Sequence, residues 1–316
     1  MEQIRIMITG ANGLLGQELV HQIVHQNTYK LLATACDTTT RLKESEGFTY
    51  TPLDVSNKSA VKDIFNEFDP AYVINCAAMT SVDDSEVNRD QCWCINAESV
   101  KNLAKCCHHH GAHLIHLSSD FVFDGKNGPY RENDRPNPIN YYGKSKLAGE
   151  NDARIAGGAN WTIVRTNVLY GNAHGISRPD FVQWVLQNLR NDQEIHVFTD
   201  QWRTPSYTYD LAKGILSIVH FQKKGVYNVS GRDYLSMYEF SLLIAEVFGL
   251  DSTLIKPADQ NSKSQTALRP KYTGLVILKA ETELDYRPMP LKSALNHLYH
   301  RLNQSSTQTT RLDAWC

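Results

Sequence analysis

The sequence predicts an α/β fold, a doubly wound parallel sheet with helices on both faces and a smaller lobe built from the C-terminal part of the chain. Three observations lead there. Strand-length apolar runs alternate with helix-length patterns from Ile4 to about Arg165, and such alternation implies parallel strands joined by right-handed helical crossovers. The first run ends in a turn whose glycines, Gly10, Gly13 and Gly16, recur at every third residue. Beyond Arg165 the alternation weakens into isolated helices and strands, which implies a second lobe.

Ile4-Arg5-Ile6-Met7-Ile8-Thr9 reads as the first strand, and Leu14, Leu15, Leu19, Val20 and Ile23 keep helical spacing after the glycines. Glycine is needed where the backbone turns sharply and lets a pyrophosphate approach, and the helix that follows offers free N–H groups and the positive end of its dipole. Strand, glycine turn and helix in that order make a Rossmann-type unit, with Gly10, Asn12, Gly13, Leu14, Leu15 and Gly16 as its cofactor-binding positions. The second strand, Leu31 to Cys36, ends at Asp37, about 20 residues past the glycines, where an acid takes the adenosine ribose hydroxyls. That acid favours NAD. Thr38, Thr39, Thr40 and Arg41 follow at once and suit a ribose phosphate, so NADP stays open. Asn75 to Thr80 ends the fourth strand with Cys76, Ala77 and Ala78, small residues that leave room beside a cofactor.

His113 to Leu117 runs as a strand into Ser118-Ser119-Asp120-Phe121-Val122-Phe123-Asp124-Gly125, and a Pro-rich loop then reaches Tyr142-Gly143-Lys144-Ser145-Lys146. Tyr142 and Lys146 stand four residues apart, which makes them neighbours on one helix face. The ammonium is expected to favour the phenolate and lower the Tyr142 pKa towards neutrality, fitting Tyr142 for acid–base work at cellular pH. A Tyr and a Lys at this spacing also occur on many exposed helices; the glycine turn and Ser119 give the pair its weight. Ser119 would then donate to a substrate carbonyl, Tyr142 deliver the proton, and Lys146 hold the nicotinamide ribose.

The Gly-x-x-Gly-x-x-Gly spacing resembles the short-chain dehydrogenase/reductase superfamily. Within it, Ser118 to Gly125 and Asn140 to Glu150 are similar to the dTDP-4-dehydrorhamnose reductase family of extended members, as are Met79 to Glu86, Ile95 to Val100, Arg165-Thr166 with Tyr170-Gly171, Gln201 to Leu211 and Arg269-Pro270. The resemblance runs from about residue 4 to about residue 300. It implies that Asp54 and Val55 contact adenine and that Asn96 orients a proton-relay water. It also implies reduction, by NADH or NADPH, of the 4-keto group of a nucleotide-linked 6-deoxysugar, on the route to dTDP-rhamnose. Sugar-nucleotide dehydratases of the superfamily carry an Asp-Glu pair after the catalytic Thr; here Asp120 is followed by Phe121, which disfavours dehydration. Two departures fall in the substrate half. Arg165-Thr166-Asn167-Val168 lacks the Trp that follows Arg-Thr-Ser in the reductases, and Gln201-Trp202-Arg203-Thr204-Pro205-Ser206 has Arg203 where their pattern has Gly. The beta subunit of methionine adenosyltransferase resembles the same reductases, so a cofactor-binding regulatory subunit is a second reading, and a reductase of another carbonyl a third.

By position, Thr80 and Phe121 border the carbonyl-bearing ring, and Arg203, Arg269 or both meet a diphosphate, or else form ordinary ion pairs. Trp202 stacks on a base or covers the lobe. A helix is expected near Phe181 to Leu189, a strand from Glu194 to Phe198, and a helix near Leu211 to Val219. Gly225 to Val229 returns to the main sheet, and Tyr238 to Phe248 and Leu291 to Leu302 are amphipathic helices. The expected units are 1–165 for the dinucleotide, 166–302 mainly for substrate, and a mobile Ser-, Thr- and Gln-rich tail over 303–316.

A formal net charge of −2 with no long basic run gives no footprint for nucleic acid. No apolar stretch reaches membrane-spanning length, and the first strand starts directly after Met1, so a cytoplasmic protein with no membrane partner is expected. Seven cysteines without framework spacing suit a reducing compartment. Cys92, Cys94, Cys106 and Cys107 with His108, His109 and His110 invite a zinc site, but adjacent residues on a helix point apart, and no metal is expected. The sequence does not fix the assembly; a homodimer is carried as the state to test.

Overall fold

Six of the seven main-sheet strands come from the first 166 residues: β1 Ile4–Thr9, β2 Tyr29–Ala35, β3 Thr49–Pro52, β4 Tyr72–Asn75, β5 His113–Ser119 and β6 Trp161–Thr166. Between them run α1 Leu14–Gln26, α2 Lys58–Phe68, α3 Val82–Val87, α4 Arg89–Trp93, α5 Ser99–His110 and α6 Tyr141–Ala156. This computed structural model describes residues 3–42, 46–259 and 266–312. The second half supplies β7 Leu169–Tyr170, α7 Phe181–Arg190, β8 Ile195–Phe198, β9 Trp202–Arg203, β10 Ser206–Tyr207, α8 Thr208–His220, β11 Gly225–Asn228, β12 Leu235–Ser236, α9 Met237–Phe248, β13 Ile255–Ala258, α10 Leu278–Glu283 and α11 Leu291–Leu312.

The main sheet is parallel throughout, in the order β11-β6-β5-β4-β1-β2-β3. Strand β1 alternates its side chains to two apolar layers, as a parallel strand buried on both faces does. Ile6 and Ile8 join Leu19, Ile23, Leu211 and Ile215 from α1 and α8. Met7 joins Leu32, Val73, Leu103 and Leu114 on the other face. Because α8 packs on the main sheet and β11 pairs with β6, the two halves of the chain interleave. A separate core fills the second lobe, where α7, α9 and α11 contribute Val185, Leu189, Phe240, Ile244, Leu295 and Leu298. Helix α11 continues through Leu312, well past Leu302, and residues 313–316 lie outside the described residues. Neither Gly nor Pro follows Leu302 to stop the helix.

The sheet also fixes where α6 lies. Glu150, on α6, is fully buried and accepts from Arg165 of β6 through Nε (2.8 Å) and Nη2 (2.7 Å), and from Ser118 of β5 (2.7 Å). Burial pushes the Glu150 carboxyl up, but Arg165, Ser118 and Arg154 outweigh it and hold its pKa below the ordinary value. A depressed carboxylate pKa adds stability that is present above the ordinary glutamate value and is lost as pH falls through the lowered one. Glu150→Gln leaves Arg165 buried against a neutral partner and is expected to cost about 3–5 kcal/mol at neutral pH. Urea unfolding at neutral pH and in acid measures this: the gap to wild type should close in acid, and a neutral-pH loss under about 1 kcal/mol would remove the pair from its anchoring role.

Candidate functional site

The strand order reverses between β1 and β4, which opens a crevice at the carboxyl ends of these strands. Gly10 closes β1 in the left-handed region (φ 69°), and a Cβ there would stand 2.7 Å from the Ala77 nitrogen, so only glycine lets the turn approach the end of β4. Gly16 is as constrained, with a Cβ 2.3 Å from the Gly10 carbonyl oxygen. Helix α1 starts at Gly13 with no side-chain cap and no acid in its first turn, so its leading N–H groups face the crevice uncovered by any carboxylate. A close backbone turn with an uncapped, thirteen-residue helix behind it fits the pyrophosphate of a dinucleotide. Leu14 and Leu15 begin that helix, and Cys76, Ala77 and Ala78 line the β4 side, all three partly buried.

At the ribose end, Asn12 organises the loop after β2. Its Nδ2 donates to Asp37 Oδ2 (2.8 Å) and the Thr39 carbonyl (3.1 Å), while Arg41 N–H donates to Asn12 Oδ1 (2.9 Å). Asp37 and Arg41, the acid and base that separately suit NAD and NADP, are paired with each other at 3.0 Å. Arg41 also donates to the Gly175 carbonyl (2.5 Å), and Gln17 exchanges two hydrogen bonds with the His174 backbone, so a second-lobe segment is tied across this end. Asp54 and Val55 follow β3 in a turn, Val55 buried and Asp54 accepting from Ser56 N–H at 2.9 Å.

Ser119, Tyr142 and Lys146 gather at the end of β5. Ser119 accepts from Phe121 N–H (3.1 Å) and donates to Asp120 Oδ1 (3.0 Å), close enough to Tyr142 to act on its pKa. Lys146 is buried and donates to the Leu117 carbonyl at 2.6 Å. Helix α6 begins at an Asn140 cap that accepts from Gly143 N–H (2.7 Å). Two glycines bring this helix close: a Cβ on Gly143 would lie 2.1 Å from the Phe121 carbonyl oxygen, and one on Gly149 2.3 Å from that of Asn96. Asn96 is fully buried in a π-helical turn, Cys94–Glu98. It brackets Met79, accepting from its N–H (2.9 Å) and donating to its carbonyl (3.0 Å), and donates to Ser145 Oγ (3.0 Å). In this arrangement it positions the β4 loop against α6.

The expected lowering of the Tyr142 pKa is overturned. Burial raises it, Ser119 lowers it and the Asp120 charge raises it again, for a net upward shift. Lys146 does not offset this, because its ammonium is turned to Leu117; its own pKa is lowered to about 8 by burial, against the pull of Glu150. The phenol therefore holds its proton at neutral pH, which suits a proton donor.

On the second-lobe side, Thr80 is exposed and Phe121 packs edge-on to Tyr142, ring centroids 5.9 Å apart. Arg203 is buried, with donors on the carbonyls of Trp202 (2.8 Å), Lys271 (3.0 Å) and Pro270 (2.7 Å), so its fork is already engaged by the backbone. Arg269 pairs with Asp83 at 2.5 Å. Trp202 lies beside Tyr234, ring centroids 5.4 Å apart. Asn167 Oδ1 and Gln201 Nε2 are among the buried side-chain atoms of this lobe without a hydrogen-bond partner among the described residues, the signature of a group that a polar ligand or water satisfies. Asp120 and Thr273 complete the group, the Thr273 hydroxyl donating to Asp120 Oδ2. No spacing rule marks these residues, since Thr273 meets Asp120 only through the fold.

Among the described residues no three His, Cys, Asp or Glu side chains gather as metal ligands, and no helix is long and apolar enough to cross a membrane. Cys92 is buried against Ser145 (3.2 Å), Cys107 is buried in the apolar layer, and His110 meets Asp69 (3.2 Å).

The chain matches the family described as the RmlD substrate binding domain over residues 4–304. The spore coat polysaccharide biosynthesis protein SpsK of Bacillus subtilis is 34% identical, the match covering 92% of this chain and 95% of SpsK. The methionine adenosyltransferase 2 subunit beta of Xenopus tropicalis is 33% identical over 80% of this chain and 75% of its own. The crystal structure of dTDP-4-dehydrorhamnose reductase from Bacillus anthracis in complex with NADP has a TM-score of 0.83 at 30% identity, covering 95% of this chain and 100% of that one. The chain belongs to the RmlD substrate binding domain family.

Proposed function

We propose that the protein reduces the 4-keto group of a nucleotide-linked 6-deoxysugar with NADPH or NADH, as its dTDP-4-dehydrorhamnose reductase relatives are named for. The observation that carries the reading is the convergence of Ser119, at the end of β5, with Tyr142 and buried Lys146 of α6, beside the crevice where the strand order reverses. The glycine cradle and the α1 N-terminus hold the pyrophosphate, Asp37 and Arg41 meet the adenosine ribose, and Cys76 to Ala78 border the cofactor. The reduced nicotinamide supplies the hydride when bound. Ser119 and Tyr142 take the carbonyl oxygen, and Tyr142, kept protonated by burial, gives it the proton. Asn96 holds the β4 loop, and Thr80 and Phe121 border the ring. Asp120 is followed by Phe121, so no second carboxylic acid is present to eliminate water.

The resemblance to methionine adenosyltransferase beta subunits keeps a regulatory role in view, but the assembled hydroxyl, phenol and amine favour an enzyme. The described cysteines are free, which supports a cytoplasmic place, and a homodimer is the assembly we propose to test. Residues 1–165 serve mainly the dinucleotide and 166–302 mainly the substrate.

Steady oxidation of NADPH with dTDP-4-keto-6-deoxymannose tests the reading; failure with every sugar nucleotide, alongside tight binding of a synthetase, would replace it with the regulatory one. Tyr142→Phe is expected to lower kcat by about a thousandfold or more with cofactor affinity within a fewfold of wild type, measured by turnover and by fluorescence titration. Full activity in that variant would remove Tyr142 from the chemistry. Asp37→Ala removes a charged acceptor and frees Arg41 from its partner. NADH binding should weaken about tenfold while NADPH binding holds or tightens, and equal losses would displace the ribose contact from Asp37.

A further inference from the structure

Gln17 and Arg41 tie a segment of the second lobe across the ribose end of the dinucleotide crevice, a link with no part in the chemistry at Tyr142. Thr166 of β6 pairs with Ser119 at the carboxyl end of β5, and a few residues later the chain reaches Arg41, in the loop after β2. Strands β5, β4 and β1 lie between β6 and β2, so the segment runs the width of the crevice, about 19 Å at ordinary strand spacing. Its far end is held through its backbone. His174 N–H donates to Gln17 Oε1 (2.9 Å), and Gln17 Nε2 donates to the His174 carbonyl (2.8 Å) and to that of Asn12 (2.9 Å). Arg41 Nη1 donates to the Gly175 carbonyl (2.5 Å). Gly175 stands at φ 60°, in the left-handed region open to glycine, and a Cβ there would face Arg41 Cδ at 3.4 Å.

A guanidinium carries its donors in a rigid planar fork, so its aim is set by the acceptors that hold it. For Arg41 these are Asp37 Oδ1 on Nη2 (3.0 Å) and the Gly175 carbonyl on Nη1, while Asn12 Oδ1 fixes its backbone N–H. Asp37 and Arg41 keep 33% and 34% of their side-chain surface exposed, so both are open to a ligand. A ribose phosphate repels the carboxylate and attracts the guanidinium, whereas ribose hydroxyls suit the carboxylate. We propose that Gln17 and the His174–Gly175 backbone are positioning elements for Arg41: by clasping the second lobe to the first, they aim its guanidinium at the ribose phosphate and favour NADPH over NADH. The clasp itself stands on geometry; its effect on cofactor choice rests on the dinucleotide part of the reductase reading.

Gln17 makes the idea separable from a plain charge effect. It lies on α1, is 6% exposed, and spends its amide on backbone groups of Asn12 and His174. Its loss therefore changes no charge near the ribose, and any change in preference for the phosphate has to pass through the clasp. With the clasp open, the Gly175 carbonyl leaves Nη1, and Asp37 draws the fork to itself.

The test compares the full chain with Gln17→Met, which keeps the side-chain length, and with Arg41→Met. Amide hydrogen exchange over 172–178, followed by mass spectrometry, reads the clasp, and calorimetric titration with NADP+ and NAD+ reads the preference. In the free protein, exchange over 172–178 should speed up about fivefold or more in either variant. Arg41→Met should lose about tenfold or more in NADP+ affinity, with NAD+ affinity within about threefold of wild type. Gln17→Met should lower NADP+ affinity by about threefold or more beyond any loss for NAD+. In wild type, saturating NADP+ should slow exchange over 172–178 more than saturating NAD+ does. Arg41→Met, at a partly exposed position, carries the test where loss of buried Gln17 prevents folding. Exchange over 172–178 unmoved in the variants that fold, equal losses for both dinucleotides in Gln17→Met, or equal slowing by both in wild type overturns the proposal. None of these readouts uses a sugar, so failure of the reductase reading, seen as no ketosugar turnover by wild type, is a separate result.

Discussion

The seat of helix α6 against the end of β5 is the constraint on which the site depends. Three kinds of contact make it. Backbone closeness at Gly143 and Gly149 admits no Cβ, the buried Glu150–Arg165–Ser118 group joins α6 to β5 and β6, and Asn96 links Ser145 to the loop after β4. Each would be costly if half made. A buried guanidinium without Glu150, or a buried amide without Met79, leaves an unpaired polar group in a low-dielectric interior. Satisfied together, they leave Tyr142 and Lys146 little positional freedom relative to Ser119, which is the condition for orientation to assist a proton transfer.

Burial, more than local charge, decides the electrostatics of this seat. An ammonium one helical turn away is an obvious partner for a phenol, yet Lys146 meets a backbone carbonyl and its own pKa falls, while that of Tyr142 rises. Desolvation penalises both charged forms, and each side chain moves towards neutrality. A reduction needs a phenol that still has its proton when the carbonyl arrives, so a half-buried, partly desolvated phenol suits that direction better than a phenolate made in advance.

Much of this was legible in the sequence because it depends on local pattern. Apolar runs and glycine spacing gave the first strand and helix, and the spacing of Tyr142 and Lys146 placed both on α6. Interactions between distant segments were not legible. Thr273 and Asp120 lie in different parts of the chain, Arg203 reads as a free cation until the carbonyls of 270 and 271 take its fork, and Asp37 and Arg41 read as rivals although they pair. The sign of the Tyr142 shift failed for the same reason: proximity along a helix can be counted from sequence, and burial cannot.

The two departures from the family pattern in the substrate half meet in space. Val168, where the family resemblance implies a Trp, sits at φ 34°, a left-handed conformation that costs a β-branched residue of order 1–3 kcal/mol. Its carbonyl accepts from Ser206 N–H (3.0 Å), Thr166 donates to Ser206 Oγ (3.0 Å), and the Asn167 side chain donates to the Thr273 carbonyl (3.2 Å). Thus the Thr166-Asn167-Val168 segment is pinned to the segment that holds Arg203, and both reach Thr273, which binds Asp120. Strain at Val168 persists because neighbours on both sides over-determine it. Changes so linked alter the lobe as a unit, while the close backbone contacts at Gly143 and Gly149 that seat α6 are made with Phe121 and Asn96, outside these segments.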